Sequence, residues 1–197
     1  MSLTLLDWRR QVHRLYADVR AAADPAEGHR LWRAGRDRLF AEHPDSPLPP
    51  GQRGGFTGLP VAAYDPALRF EVELDRAVPP LSWSVETSAD GVVPFSRIGV
   101  AHLPGLGDLD VWWLESYGGG VFLPVRDAAP DTYGGGRYVL DTVKGADLGG
   151  AAAEGRLVVD LNFAYNPSCA YSPAWTCPLA PVGDTVPVAL SGGERTS

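Results

Sequence analysis

Leu5, Trp8, Val12, Leu15 and Val19 follow one another at alternating spacings of three and four. That period places all five on one helical face and leaves Arg9, Arg10 and Arg14 on the other. Thr4 followed by Asp7 resembles a capping box at the start of this helix. A second helix is predicted from Asp24, which suits the N-cap, with Pro25 in the first turn and Glu27 three residues after the cap. Leu31, Gly35 and Leu39 form its expected inner stripe. His43-Pro44 ends it, because a residue before proline is pushed out of the helical region.

Residues 44–66 are rich in proline and glycine and carry no clear period. Residues 47–55 read as a flexible connection, while FTGLP and AAYDP carry apolar anchors for the body. From Leu68 the period changes to two. Leu68, Phe70, Val72 and Leu74 point one way, and Arg69, Glu71 and Glu73 point the other, as in a half-buried strand. Similar runs lie at 81–86, 93–102, 109–115, 120–126, 136–140, 156–162 and 185–190. Turn signals separate them. No helix longer than about three turns is expected within 68–190. The expected fold is mainly β, a curled antiparallel barrel or sandwich with two N-terminal helices packed on it. Its parts are a helical segment 1–43, a connection 44–66 and a β-rich body 67–197, together one domain. Residues 191–197 read as a frayed tail.

Composition sharpens this picture. A chain of 197 residues is one domain of ordinary size, and its 45% apolar content supports a proper core. The formal charge of −7 is uneven. Residues 1–53 hold nine Arg and seven acids, for +2, and the rest holds eight basic residues and seventeen acids, for −9. An acidic body argues against nucleic acid as a partner. The arginines of the first part read as solvated helix faces. No basic segment followed by an apolar core opens the chain, and no apolar run reaches membrane-span length. The expected location is the cytoplasm, where Cys169 and Cys177 stay thiols.

Chemistry concentrates in residues 158–178, which hold both cysteines, three prolines and a run of aromatics. The C-x7-C spacing suits neither a zinc site nor a C-x-x-C redox motif, so no metal is expected. A buried pair of thiols is the simplest reading. A nucleophilic Cys169 would need a cation such as Arg137 or His102 beside it. Asp160, Asn162 and Asn166 close a strand, where they serve either a ligand or the backbone of the irregular loop that follows. Gly134, Gly135 and Gly136 lack the context of a phosphate loop or a dinucleotide fold, so no cofactor is indicated. They give tight backbone turns beside a strand, with Arg137 free for an anion or paired with Asp127 or Asp160. Trp112 and Trp113 share a strand and so face opposite ways. Trp83 and Tyr117 are candidates to join one of them in a pocket.

Four segments, HPDSPL (43–48), FTGLPVAAYDPALRFEVEL (56–74), LPVRDAAPDTYGGGRYV (123–139) and VVDLNFAYNPSCAYSPAWTCPLAP (158–181), together resemble the DUF1684 family. That family comprises bacterial and archaeal proteins of unknown function. The resemblance implies a role for the elements around Tyr133–Tyr138 and around Asn162–Cys177, without naming a reaction. The leading expectation is a small-molecule-binding domain whose pocket is formed by the 133–138 turn and the 160–177 loop. Tyr133, Arg137, Asn162, Asn166 and Tyr171 are its expected ligand-binding residues. The alternatives are an enzyme using Cys169, Asp160 or Tyr165 in that pocket, and a scaffold without ligand.

Overall fold

The computed structural model describes residues 3–87 and 91–196. Two helices, α1 (Leu3–Ala21) and α2 (Pro25–Glu42), lead the chain, and a single turn, α3 (Pro50–Arg53), follows. The seven strands are β1 (Arg69–Glu73), β2 (Ser82–Thr87), β3 (Gly91–Leu103), β4 (Gly107–Leu114), β5 (Gly120–Val125), β6 (Arg137–Asp141) and β7 (Arg156–Asp160). β2 to β6 form an antiparallel meander in chain order, and β1 pairs with β7 in a separate two-stranded antiparallel sheet. The protein is therefore mainly β with a few helices. A closed barrel is not formed among the described residues, because β2 and β6 end the meander on opposite sides without pairing to each other.

The helix stripe of α1 meets the core as its spacing demands. Val12 and Leu15 pack on the main apolar cluster, Trp8 packs on a smaller one, and Val19 is buried. The helix starts at Leu3, so Thr4 lies inside it rather than at its cap. In α2, Asp24 is the N-cap and accepts from the Ala26 N–H, and His43 closes the other end. Its buried face differs from the expected stripe. Leu31 is exposed, while Gly28, Trp32, Gly35 and Leu39 point inward. Gly35 matters because a Cβ there would lie 2.5 Å from Leu15 Cδ1, so the two helices close only over a bare Cα.

Residues 47–55 do not behave as a free linker. Arg53 donates to the carbonyls of His43, Pro44, Ser46 and Leu48 and ties the connection into a compact turn. Leu59 is buried beside Phe40 and Leu48, and Phe56 packs on them, as anchors should. In β1 the alternation holds, with Val72 buried and Glu71 and Glu73 exposed. The run 185–190 is not a strand. Thr185 makes one parallel bridge to Arg126, and beyond it the Ala128 N–H goes to Val188 O rather than Val186 O, so the register is lost after a single bridge.

The main core joins both helices to both sheets through residues such as Trp32, Leu109, Val125, Val159 and Phe163. Trp112 is buried and its neighbour Trp113 is exposed, as their opposite faces require. Trp83 joins Trp112, with ring centroids 5.7 Å apart, but Tyr117 stands fully in solvent. Residues 191–196 are not frayed. Gly192, Gly193 and Glu194 are buried, and Glu194 bridges to Val61. Among the described residues no helix is long and apolar enough to cross a membrane.

Candidate functional site

The 133–138 turn and the 160–177 loop lie side by side. Tyr138 and Tyr165 exchange backbone hydrogen bonds of 2.8 and 2.9 Å, which fastens the loop along β6. Gly136 lets the segment that follows the loop pass close to the turn: its φ is +91°, and a Cβ there would meet Ala180 Cβ at 2.5 Å. At the far end of the turn, the Tyr133 hydroxyl sits 3.6 Å from Cys169 Sγ. Tyr133 is pushed up to about 12, first by that hydrogen bond and then by burial.

Most of the polar residues here face the protein rather than a cavity. Arg137 is fully buried and donates to Asp127 at 2.8 Å and to the carbonyls of Gly192 and Glu194 at 2.7 and 3.1 Å. It is an internal clamp, and no anion from solvent reaches it. Asn162 is equally buried. Its amide donates to Asp65 O at 2.8 Å and to Asp160 Oδ1 at 2.7 Å, and its Oδ1 accepts from Asp65 N at 2.9 Å. Asp160 caps the short turn Leu161–Phe163 through the Asn162 N–H and accepts from the Tyr64 hydroxyl. Burial holds its carboxyl above the usual range. These contacts tie the N-terminal connection to the end of β7, as loop-fixing amides and carboxylates do.

A second knot forms around Glu194, within the segment 191–197 whose composition suggests a frayed tail. Its buried carboxylate accepts from Arg36 Nη2 at 2.7 Å, from the Asn166 N–H at 3.1 Å and from the Tyr171 hydroxyl. Asn166 also donates from its side chain to Arg195 O at 3.0 Å. The Arg36 guanidinium lies over Trp32, Phe40 and Tyr165, at 5.1, 5.1 and 4.9 Å from the ring centres. Its side chain is only 12% exposed, so this arginine departs from the solvated face expected of α2. The sequence held a signal: Trp32, Arg36 and Phe40 are spaced by four, which stacks a cation between two rings on one face.

Beside this knot lies a cleft of about 110 Å³, open to solvent, between the helix pair and the loop. Trp8, Tyr16, Phe40, Tyr138 and Tyr165 line it. Arg36, Asp141, Lys144, Asn166, Ser168 and Cys177 contribute its polar side. Lys144 pairs with Asp141 at 3.3 Å, and Arg36 is paired with Glu194, so the cleft carries no excess charge. Tyr138 donates its hydroxyl to Pro178 O. Burial keeps the Tyr138 and Tyr165 phenols well above their ordinary range and pushes the Cys177 thiol up to about 11.

The structure thus separates the expected site residues. Tyr165 and Asn166 reach the cleft. Tyr133 and Cys169 contact each other at one end of the turn, and Tyr171 packs on Phe40 with ring centroids 5.0 Å apart. Asp160 lines a different hollow of about 90 Å³, next to Arg20, Arg69 and the start of α2. His102 sits on the surface between Asp75 and Asp108. Among the described residues no group of three or more His, Cys, Asp or Glu is placed to hold a metal ion.

Another polar group escaped the sequence reading because its partners are remote in the chain. Asp184 is fully buried and accepts from Trp112 Nε1 at 2.8 Å. Asp110 beside it pairs with Arg97 at 2.8 Å. Burial first, and the Asp110 charge in addition, push Asp184 up to about 8 despite the Trp112 hydrogen bond. Asp184 is therefore largely a neutral acid at neutral pH.

A two-sheet, mainly β body with a helix pair over one side, its end sealed by the 160–177 loop, defines a type of small domain rather than an activity. The chain belongs to the DUF1684 family, a family of proteins of unknown function, whose model matches residues 54–195. An uncharacterized protein of Haloarcula marismortui, solved by solution NMR, is similar at 33% identity and a TM-score of 0.56. The match covers 83% of this chain and 90% of that one. No curated protein matches this chain.

Proposed function

We propose that this protein binds a small molecule in the cleft between the helix pair and the 160–177 loop. The observation that carries the reading is five aromatic side chains converging on an open cleft that also holds a few fixed polar groups, a combination typical of ligand sites. Its size sets the occupant. An apolar cavity of about 150 Å³ takes a benzene ring, so this cleft suits a ring-sized molecule or one arm of a larger one. Its charge sets the chemistry. Both cations are already paired, and an ionic ligand would have to break a pair at a desolvation cost. A neutral molecule with an apolar or aromatic body and one hydrogen-bonding group fits best.

The enzyme reading has less support, because Asp160 opens on the other hollow, Cys169 faces the Tyr133 hydroxyl with no cation among its hydrogen-bond partners in the described residues, and burial keeps the Tyr165 phenol protonated. The scaffold reading draws on Arg137, Asn162 and Asp160, whose hydrogen bonds serve the fold. Ligand-observed NMR with ring-sized neutral amides, alcohols and phenols tests the proposal. Members of the set should bind the native chain, and Ser168→Trp should abolish binding at an unchanged melting temperature by filling the cleft. No binding to the native chain, or full binding to S168W, would overturn it.

A further inference from the structure

The chain has two cysteines, eight positions apart, and the loop between them folds back on itself. Cys169 lies on the short turn Ser168–Ala170 and Cys177 at the far end of the loop, and both are half-buried free thiols. The two thiols are near enough to influence one another electrostatically, and Ser168, next to Cys169 in the chain, lines the same cleft as Cys177. The Tyr133 hydroxyl, from the neighbouring turn, faces Cys169 Sγ at 3.6 Å. Three groups from two separate segments thus meet at one point, and the paired amides and the clamp around Arg137 hold those segments in place.

We propose that Cys169 and Cys177 form a dithiol site that exchanges with small disulfides, with Cys169 as the entering thiol, Tyr133 as its hydrogen-bond donor and Cys177 as the resolving thiol. In the first step the Cys169 thiolate attacks one sulfur of R–S–S–R. The S–S bond breaks, a mixed disulfide forms on Cys169, and RS⁻ leaves and takes up the proton that Cys169 gave up. In the second step Cys177 loses its proton and attacks Cys169 Sγ, releasing the other half as RSH. Two protein thiols are oxidised to one disulfide, and the small disulfide is reduced to two thiols.

The order follows from the surroundings. Tyr133 keeps its proton far above neutral pH and so can donate to a Cys169 thiolate. Cys177 is raised by burial, which makes it a poor first nucleophile. Once Cys169 carries a mixed disulfide, Cys177 is held beside the sulfur it must attack, and proximity replaces thiolate abundance. This proposal is independent of what occupies the cleft.

The test uses the full reduced chain with oxidised glutathione, followed by intact mass and peptide mapping. The native chain should pass to a Cys169–Cys177 disulfide with little mixed disulfide left, and Cys177→Ser should accumulate glutathione on Cys169. Cys169→Ser should react about tenfold more slowly than Cys177→Ser, since burial pushes the remaining Cys177 thiol up to about 11 and lowers its thiolate fraction by more than its higher basicity returns. Tyr133→Phe should slow the first step, because it removes the hydrogen-bond donor facing the Cys169 thiolate. Circular dichroism confirms that each variant is folded, and reaction in urea confirms that the reagent is competent. A native chain that stops at mixed disulfides, a folded chain that does not react, or equal rates for C169S and C177S would overturn the proposal.

Discussion

Glu194→Ala is the sharpest test of how the end of the chain closes the structure. The carboxylate is fully buried and receives three donors from two remote parts of the fold: Arg36 in α2, and Asn166 and Tyr171 in the loop. Removing it leaves the Arg36 charge without its partner in a site where that side chain is 12% exposed. Breaking such a pair by deleting one member costs about 3–5 kcal/mol. The Asn166 N–H also loses its acceptor, at about 1–3 kcal/mol for a buried donor. The two costs share one group and are not additive, so the expected loss is about 4 kcal/mol. With a urea m-value of about 2–3 kcal/mol/M, the midpoint should fall by about 1.3–2 M.

Urea unfolding followed by tryptophan fluorescence reads this directly, because Trp32 stacks under the same guanidinium. Glu194→Gln keeps an acceptor and the shape, and should cost less than Ala. Adding Arg36→Met to Glu194→Gln should recover part of the loss, since it removes the stranded charge. A midpoint for E194A within about 0.4 M of the native chain, equivalent to about 1 kcal/mol, would refute the reasoning. The last residues would then be dispensable, as their composition first suggests.

Asp184 gives a pH test. Burial raises its pKa in the folded state to about 8 from an ordinary 3.8, so the folded chain holds the proton more tightly. Stability from this group is full below about 4 and is lost as pH rises towards about 8, at about 1.4 kcal/mol per unit while the two states differ. Asp184→Asn should flatten that decline and be the more stable form at pH 8, in denaturation series across pH. An unchanged slope would count against it. His29 has the opposite sign. Burial lowers it to about 4 from 6.5, so its contribution is full above about 6.5 and is lost as pH falls through about 4. His29→Gln, which keeps a donor for Asn162 O, should remove that acid sensitivity, and persistence of the loss would reassign it to other groups. Asn162→Ala should lower stability by about 1–3 kcal/mol, because the Asp65 N–H and C=O lose partners. A change under about 0.5 kcal/mol would mean that water replaces the amide.

Period and turn chemistry carried the local structure. The three-four spacing of Leu5 to Val19 fixed α1 and its inner face, and Asp24-Pro25 with His43-Pro44 bounded α2 almost to the residue. Alternation at 68–74 specified a half-buried strand, and the unusual composition of 158–178 marked the loop that seals one end. Those signals act over a few residues, so they survive without knowledge of the fold. The failures are equally physical. Leu31 was expected inside because it is apolar, yet Trp32 and Gly35 suit the contact with α1 better, and only helix-on-helix packing decides which face that is. The run 185–190 alternates well enough for a strand, but no neighbouring edge accepts more than one bridge. Arg137, Asn162 and Asn166 look identical in sequence whether they meet a ligand or the backbone, since their partners lie up to 97 positions away. Glu194 sits in a short polar ending that resembles any frayed tail. Its burial exists only because α2, β6 and the loop converge on it from remote parts of the chain, and a side chain's partners across such distances are set by the tertiary fold alone.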